Sequence, residues 1–151
     1  MASVKTTKTA PKRWRYCLNG FLLILPFWYL YQQLTPTFPA PLAEKGIGPF
    51  TVQPRPSNEE PAYDYGDDYF KDFSLTFCDG CVDKIRFAYM SVGPEPAPMP
   101  EDAYGVIHGN SEVQHAHAPF PEKVSEVDKL WVTVQDWQGN SYHASWSLSD
   151  L

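Results

Sequence analysis

Several things are missing from this 151-residue chain, and each omission excludes something. No glycine-rich loop of the phosphate-binding type occurs, and no serine sits in a nucleophile-elbow context. Cys81 is followed by Val82 instead of histidine, which rules out the covalent haem motif. Internal repeats are absent. After residue 34 no segment has the periodicity of an amphipathic helix. Basic side chains are scarce there too: seven stand against all eighteen acids, a net charge of −11. A surface so acidic repels nucleic acid and anionic lipid, and attracts cations or a basic partner. Nothing in the sequence points to a small organic substrate.

The first 34 residues invert that balance. Lys5, Lys8, Lys12, Arg13 and Arg15 form a basic tail over 1–15 with no acid. Residues 16–34, "YCLNGFLLILPFWYLYQQL", then carry no Asp, Glu, Lys or Arg. A charge-free stretch of this length with Trp and Tyr near its end predicts one membrane span with an aromatic belt. The positive-inside rule keeps the tail cytoplasmic and exports the rest, and Pro26 is tolerable in a membrane helix. A cleaved signal peptide is the rival reading. Its nearest small-residue site, Ala43, lies far past Leu34 and has Pro41 at the minus-three position. Cys17 begins the apolar run instead of ending it, which argues against a lipoprotein. The segment is expected to be an uncleaved signal anchor in the inner (cell) membrane, with the C-terminal domain periplasmic.

Seven prolines fall within residues 35–62, a composition that favours an extended spacer, and "YDYGDDYF" over 63–70 reads as an acidic, aromatic lead-in. Residues 35–69 are thus expected to be a Pro-rich acidic linker. Over 70–151 the pattern changes to period two. Phe73, Leu75 and Phe77 alternate with Ser74 and Thr76, and Ile85, Phe87 and Tyr89 share a face. "YGVIH" is a short candidate strand. Residues 129–148 predict a hairpin turning at Gly139-Asn140, with Leu130, Val132 and Val134 facing one way in its first arm and Tyr142, Ala144 and Trp146 in its second. The expected fold is mainly β: a small antiparallel β-sandwich, Ig-like in general character. Two segments read as loops, the proline-alternating 93–102 and the long polar 108–128.

Two constellations carry candidate chemistry. In "SLTFCDGCVDKI", Asp79-Gly80 is a strong hairpin signal that would set Cys78 and Cys81 across a strand pair at disulfide distance. A clean two-residue register would set Lys84 and Arg86 opposite Leu75 and Phe73, so a bulge is expected near the turn. Three roles compete for the pair. An oxidising compartment favours a structural disulfide. Paired thiolates on a tight turn chelate soft or borderline metals. A thioredoxin-like redox role needs a helix after the pair, and none is predicted.

The second constellation is His115-Ala-His117, with His108 seven residues earlier. In extended chain, residues two apart point to one side and can share an ion, and imidazole suits copper and zinc. Met90, Met99 and Glu112 are further donors within reach in sequence. His143 falls on a strand face and reads as a surface or packing residue.

These features together predict a membrane-anchored periplasmic accessory that binds a transition-metal ion, copper or zinc, through His108, His115 and His117. Cys78 and Cys81 either join the site or close a disulfide. The protein is expected to act in metal uptake, delivery or sensing beside a membrane-protein partner, and not as an enzyme. In general plan this is similar to small Ig-like periplasmic copper-handling domains, a likeness of architecture without a shared motif. The alternative is a non-enzymatic assembly or scaffold subunit of an inner-membrane complex. There Tyr63, Tyr65 and Tyr69 would meet the partner and the cysteines would be structural.

Overall fold

The computed structural model describes the backbone from residue 13 and the side chains from residue 19 to the C-terminus. The side chains of the basic tail expected over 1–15, and of Cys17, lie outside the described residues. One helix, α1 (Arg13–Leu34), runs through Pro26, and the N–H and hydroxyl of Thr35 both donate to the Tyr31 carbonyl at its end. Every side chain from residue 19 to 34 is exposed. Among the described residues no helix is long and apolar enough to cross a membrane.

Residues Phe38–Leu151 form a second compact unit. Its strands are β1 (Lys45–Ile47), β2 (Phe50–Pro56), β3 (Tyr63–Tyr65), β4 (Asp68–Phe77), β5 (Ile85–Gly93), β6 (His108–Gly109), β7 (Gln114–Phe120), β8 (Lys129–Asp136) and β9 (Ser141–Ser147). All named pairings are antiparallel. One sheet has the order β1-β2-β4-β7-β6, with β3 also paired to β4, and the other has the order β5-β8-β9. Among the described residues the structure is mainly β, with two antiparallel sheets and one α-helix. Their buried faces share one core: Val52, Phe73, Leu75, Ala116 and Ala118 from the first sheet, Met90, Leu130, Val132, Val134 and Trp146 from the second.

The expected hairpin over 129–148 is present, and its register puts Leu130 opposite Trp146 and Val132 opposite Ala144. Asp136 fixes its turn by accepting from the N–H groups of Gln138 and Asn140 and from the Asn140 amide and Tyr142 hydroxyl. Phe73, Leu75 and Phe77 line the core as their alternation predicts.

Four expectations are corrected. The Pro-rich segment 35–69 is not a spacer throughout, because it contributes β1, β2 and β3, and Leu42, Ile47, Phe50 and Val52 are buried in the core. Its prolines are accommodated by strand geometry. Residues 51 and 57 of this run bond towards β4, through Thr51 O and Ser57 N. Alternation then turns Pro54 and Pro56 away from β4, and the Pro54 carbonyl accepts from Leu42 N–H on that other side. The missing proline N–H is therefore not needed by the ladder.

The Asp79-Gly80 turn does not make a hairpin. Gly80 alone takes positive φ, at 65°, so the two-residue turn with positive φ at both centres is not formed. Cys81 N–H bonds to the Cys78 carbonyl, a 3-10 turn follows over Val82–Lys84, and the chain crosses to the other sheet. Leaving the sheet removes the clash of Lys84 and Arg86 with the apolar face of β4. The irregularity lies instead between Ile85 and Phe87, where β5 shifts register on β8.

That shift corrects the third expectation. Beyond Ile85 the core face of β5 is Ala88 and Met90, while Tyr89 points outward under the proline-rich segment and donates its hydroxyl to the Ala97 carbonyl. Finally, the polar "loop" 108–128 contains β6 and β7, and β7 sits between β4 and β6 within the larger sheet. Gln114, Ala116 and Ala118 face inward, and alanine in place of larger apolar residues hid the alternation.

Candidate functional site

Strand alternation decides where the histidines go. Since Ala116 and Ala118 are buried in the core, His115 and His117 must stand on the outer face of the larger sheet. The same logic sends Phe73 and Leu75 inward, and Asp72 and Ser74 out. Register then sets neighbours across strands: Asp72 opposite His117, Ser74 opposite His115, and His115 opposite His108. The tight turn between β6 and β7 holds this last pair, with the Asn110 side-chain oxygen accepting from the N–H groups of Glu112 and Val113. All three histidines named from sequence thus come together. Ring centroids are 4.1 Å apart for His108 and His115, 6.2 Å for His108 and His117, and 6.5 Å for His115 and His117.

The hydrogen bonds at the ring nitrogens are the informative feature. His117 Nδ1 lies 2.6 Å from Asp72 Oδ1. A carboxylate oxygen accepts, so Nδ1 carries the hydrogen, and in the neutral ring Nε2 then keeps its lone pair. His108 Nδ1 lies 3.0 Å from the Val106 carbonyl oxygen, which fixes the same tautomer. Tyr63 donates its hydroxyl to Asp72 Oδ1 at 2.9 Å, so two donors steady one carboxylate oxygen. Burial beside that carboxylate pushes the Tyr63 hydroxyl pKa up. Desolvation, helped by the neighbouring His108 and His117, lowers the pKa of His115 and favours its neutral form.

A metal bound to imidazole nitrogens at 2.0–2.1 Å in tetrahedral geometry puts ring centres roughly 5 Å apart. The three observed separations bracket that value. As the rings stand, no three His, Cys, Asp or Glu side chains among the described residues are arranged to hold an ion. Two rings are too close and the third is too far, so closing the trio takes side-chain rotation on a fixed backbone.

The cysteines stand elsewhere. Cys78 and Cys81 form a disulfide with Cα atoms 5.3 Å apart, and so bonded neither offers a thiolate. Cys81 is buried in the core, and Cys78 lies four residues of chain beyond Ser74, on the order of 13 Å along the strand direction. Met90 is buried in the core and unavailable as a ligand, whereas Met99 is exposed. His143 lies on the second sheet with Nδ1 2.9 Å from the Thr133 hydroxyl.

Sequence reasoning missed Asp72 and Tyr63 as partners of the histidines. Asp72 alternates with Phe73, which marks it as outward-facing, but only the pairing of β4 with β7 puts it against His117. Beside the histidines, Tyr63, Tyr65, Phe70 and Tyr104 line a cavity of about 360 Å³ that His108 and His117 also border.

The family model described as uncharacterised conserved protein UCP029505 matches residues 11–149. The chain belongs to that family. The match takes in the helix, both sheets and every histidine of the cluster. No curated protein and no solved structure matches.

Proposed function

We propose that the outer face of the larger sheet binds a transition-metal ion, copper(II) or zinc, through His108, His115 and His117. The observation that carries this reading is the pair of Nδ1 contacts. Ligating histidines almost always donate their other ring N–H to a carboxylate or a backbone carbonyl, which fixes the ring and raises its basicity. His117 does so to Asp72 and His108 to Val106. The lowered pKa of His115 favours the unprotonated ring that metal binding requires.

The domain acts as a binding and transfer accessory, not as an enzyme, beside a membrane-protein partner. Its acidic surface draws cations to the face. The described side chains of α1 do not by themselves make a span, but the charge-free run over 16–34 begins before the first of them. On this reading that run anchors the chain in the inner membrane, with the β domain on the periplasmic side as an Ig-like sandwich. Three features support this placement: the charge-free run over 16–34, the apolar side chains exposed all round from residue 21 to 30, and a disulfide suited to an oxidising compartment. The disulfide is the structural alternative for Cys78 and Cys81, and the site is assigned to the histidines alone.

The test is a calorimetric titration of the full chain in maltoside micelles with copper(II) and zinc, repeated on a His108→Ala/His115→Ala/His117→Ala variant. Binding that disappears in a folded triple variant supports the site. Equal binding by both proteins removes it.

A further inference from the structure

The cavity beside the histidines has a composition that metal binding does not use. β3 presents Tyr63 and Tyr65 two residues apart, on the side where Tyr63 faces Phe70 across the strand pair. Phe70 is almost wholly buried and forms the floor, with Tyr63 at 6.4 Å and Tyr104 at 4.8 Å between ring centroids. The rings are tilted by 42° and 45°, so they flank the opening instead of stacking flat and filling it. Tyr65 and Tyr104 remain exposed. Four aromatic side chains therefore surround one cavity of about 360 Å³.

Two carboxylates bond to residues of this cage, one at a ring hydroxyl and one at a backbone N–H. The Asp72 carboxylate accepts the Tyr63 hydroxyl at 2.9 Å, and the Asp102 carboxylate accepts the Tyr104 N–H at 3.0 Å. Among the described residues no basic side chain lines the cavity apart from the two imidazoles. Aromatic faces carry the negative side of the ring quadrupole, and a cage of them with nearby carboxylates selects a cation over a neutral group of equal size. A compact cation with a methylated surface gains most, because it loses less hydration than a primary ammonium on leaving water.

We infer that Tyr63, Tyr65, Phe70 and Tyr104 form an aromatic cage for a quaternary ammonium group of choline type. The group reaches the cage either on a free small molecule or on a choline lipid headgroup. The cage does not rest on the metal reading, since it is built from aromatic rings and not from imidazole nitrogens, although His108 and His117 border both. A cation in the cage and a metal on His108 and His117 repel each other, so the two ligands weaken one another.

The experiment titrates choline into the full chain in maltoside micelles at constant ionic strength, beside 3,3-dimethylbutan-1-ol, its neutral isostere. Choline is expected to bind at least tenfold tighter than the isostere. Replacing one ring, as Tyr65→Ala or Tyr104→Ala, weakens choline by roughly 2- to 30-fold, while Tyr65→Phe retains it. His115→Ala leaves choline binding unchanged, and Tyr65→Ala leaves metal binding unchanged, so either reading can fail without the other. Nanodiscs distinguish the sources: a preference for phosphatidylcholine over phosphatidylethanolamine discs that Tyr65→Ala abolishes, with free choline inactive, assigns the lipid headgroup. Equal affinity for choline and the neutral isostere, or no binding of choline in either form, overturns the cage.

Discussion

Removing the Asp72 carboxylate is the most discriminating perturbation of the proposed metal face. Asp72 and His117 are both exposed, at 40% and 53% of their side-chain surface. A pair in that setting contributes about 0–1 kcal/mol to folding, because water screens the attraction and ordering two side chains costs entropy. Its effect on a metal site is larger. Losing the outer partner of a ligating histidine typically lowers metal affinity by about 10- to 100-fold, or about 1.4–2.7 kcal/mol. Asp72→Ala should therefore cut copper or zinc affinity by that factor and shift the urea midpoint very little. Asp72→Asn keeps an oxygen that can accept the Nδ1 hydrogen but loses the charge, and should fall between wild type and Asp72→Ala. Ser74→Ala, one strand position away on the same face, should change neither quantity. Chelator-competition titrations on the full chain read the affinities, and urea unfolding followed by near-ultraviolet circular dichroism reads the fold. Wild-type affinity in a folded Asp72→Ala protein would refute the argument that this carboxylate orients a ligand.

Four further outcomes follow from the fold. Gly105 has φ 74°, its N–H donates to the His117 carbonyl, its carbonyl accepts from Met90 N–H, and an added Cβ would collide with the Met90 carbonyl oxygen. Gly105→Ala should cost about 1–3 kcal/mol in denaturant unfolding, and a neutral result would contradict the bridge between sheets. The hydrogen bonds at Asp136 hold its carboxyl pKa below the usual range. That stabilisation is complete above the unfolded-state pKa and is lost as pH falls through the lower folded-state value. Wild type should therefore lose urea resistance across the acid range more steeply than Asp136→Asn, and parallel slopes would refute the assignment. Deleting residues 38–61 removes, besides Pro54 and Pro56, the buried side chains of Leu42, Ile47, Phe50 and Val52, worth about 1.5–3 kcal/mol each against a typical total of about 5–15. A chain beginning at 62 should fail to show cooperative unfolding, whereas one beginning at 38 should unfold cooperatively. Reducing the Cys78–Cys81 disulfide should leave metal affinity unchanged, and a rise after reduction would bring the thiols back as ligands.

What could be read from the residues was alternation; what could not was partnership. Leu130, Val132, Val134, Ala144 and Trp146 announce the core face of β8 and β9, because large apolar groups recur every second residue on both sides of a Gly-Asn turn. β7 hides because its inward positions are Gln114, Ala116 and Ala118, too small or too polar to stand out beside histidine. β2 hides behind Pro54 and Pro56, which look incompatible with a sheet until the direction of each missing N–H is known. Asp79-Gly80 misleads differently. The dipeptide correctly marks a turn, but whether the next strand returns to the same sheet depends on Lys84 and Arg86, and these polar residues favour leaving it. At the site, the His115 and His117 spacing gives a shared direction once the segment is extended. The contribution of Asp72, 45 residues away, belongs to the pairing of β4 with β7 and has no local signature.

The separation of the disulfide from the histidines changes what kind of site this chain can hold. A site built from Cys78 and Cys81 would have tied metal binding to redox state and to the core, since Cys81 is buried there and Cys78 accepts the Thr51 N–H on sulfur. The staple instead fixes the point where the chain leaves one sheet for the other. The histidines, Asp72 and the tyrosines occupy an outer face whose side chains contribute little to the core. Substitutions on that face should alter binding with small cost in stability, whereas those at the crossover should do the reverse. A metal held by imidazoles on a rigid sheet, with no thiolate, also falls to the nitrogen-preferring ions and disfavours copper(I). The chemistry proposed for the face is thus binding of copper(II) or zinc, and because a metal takes only the unprotonated imidazole its affinity should fall in acid.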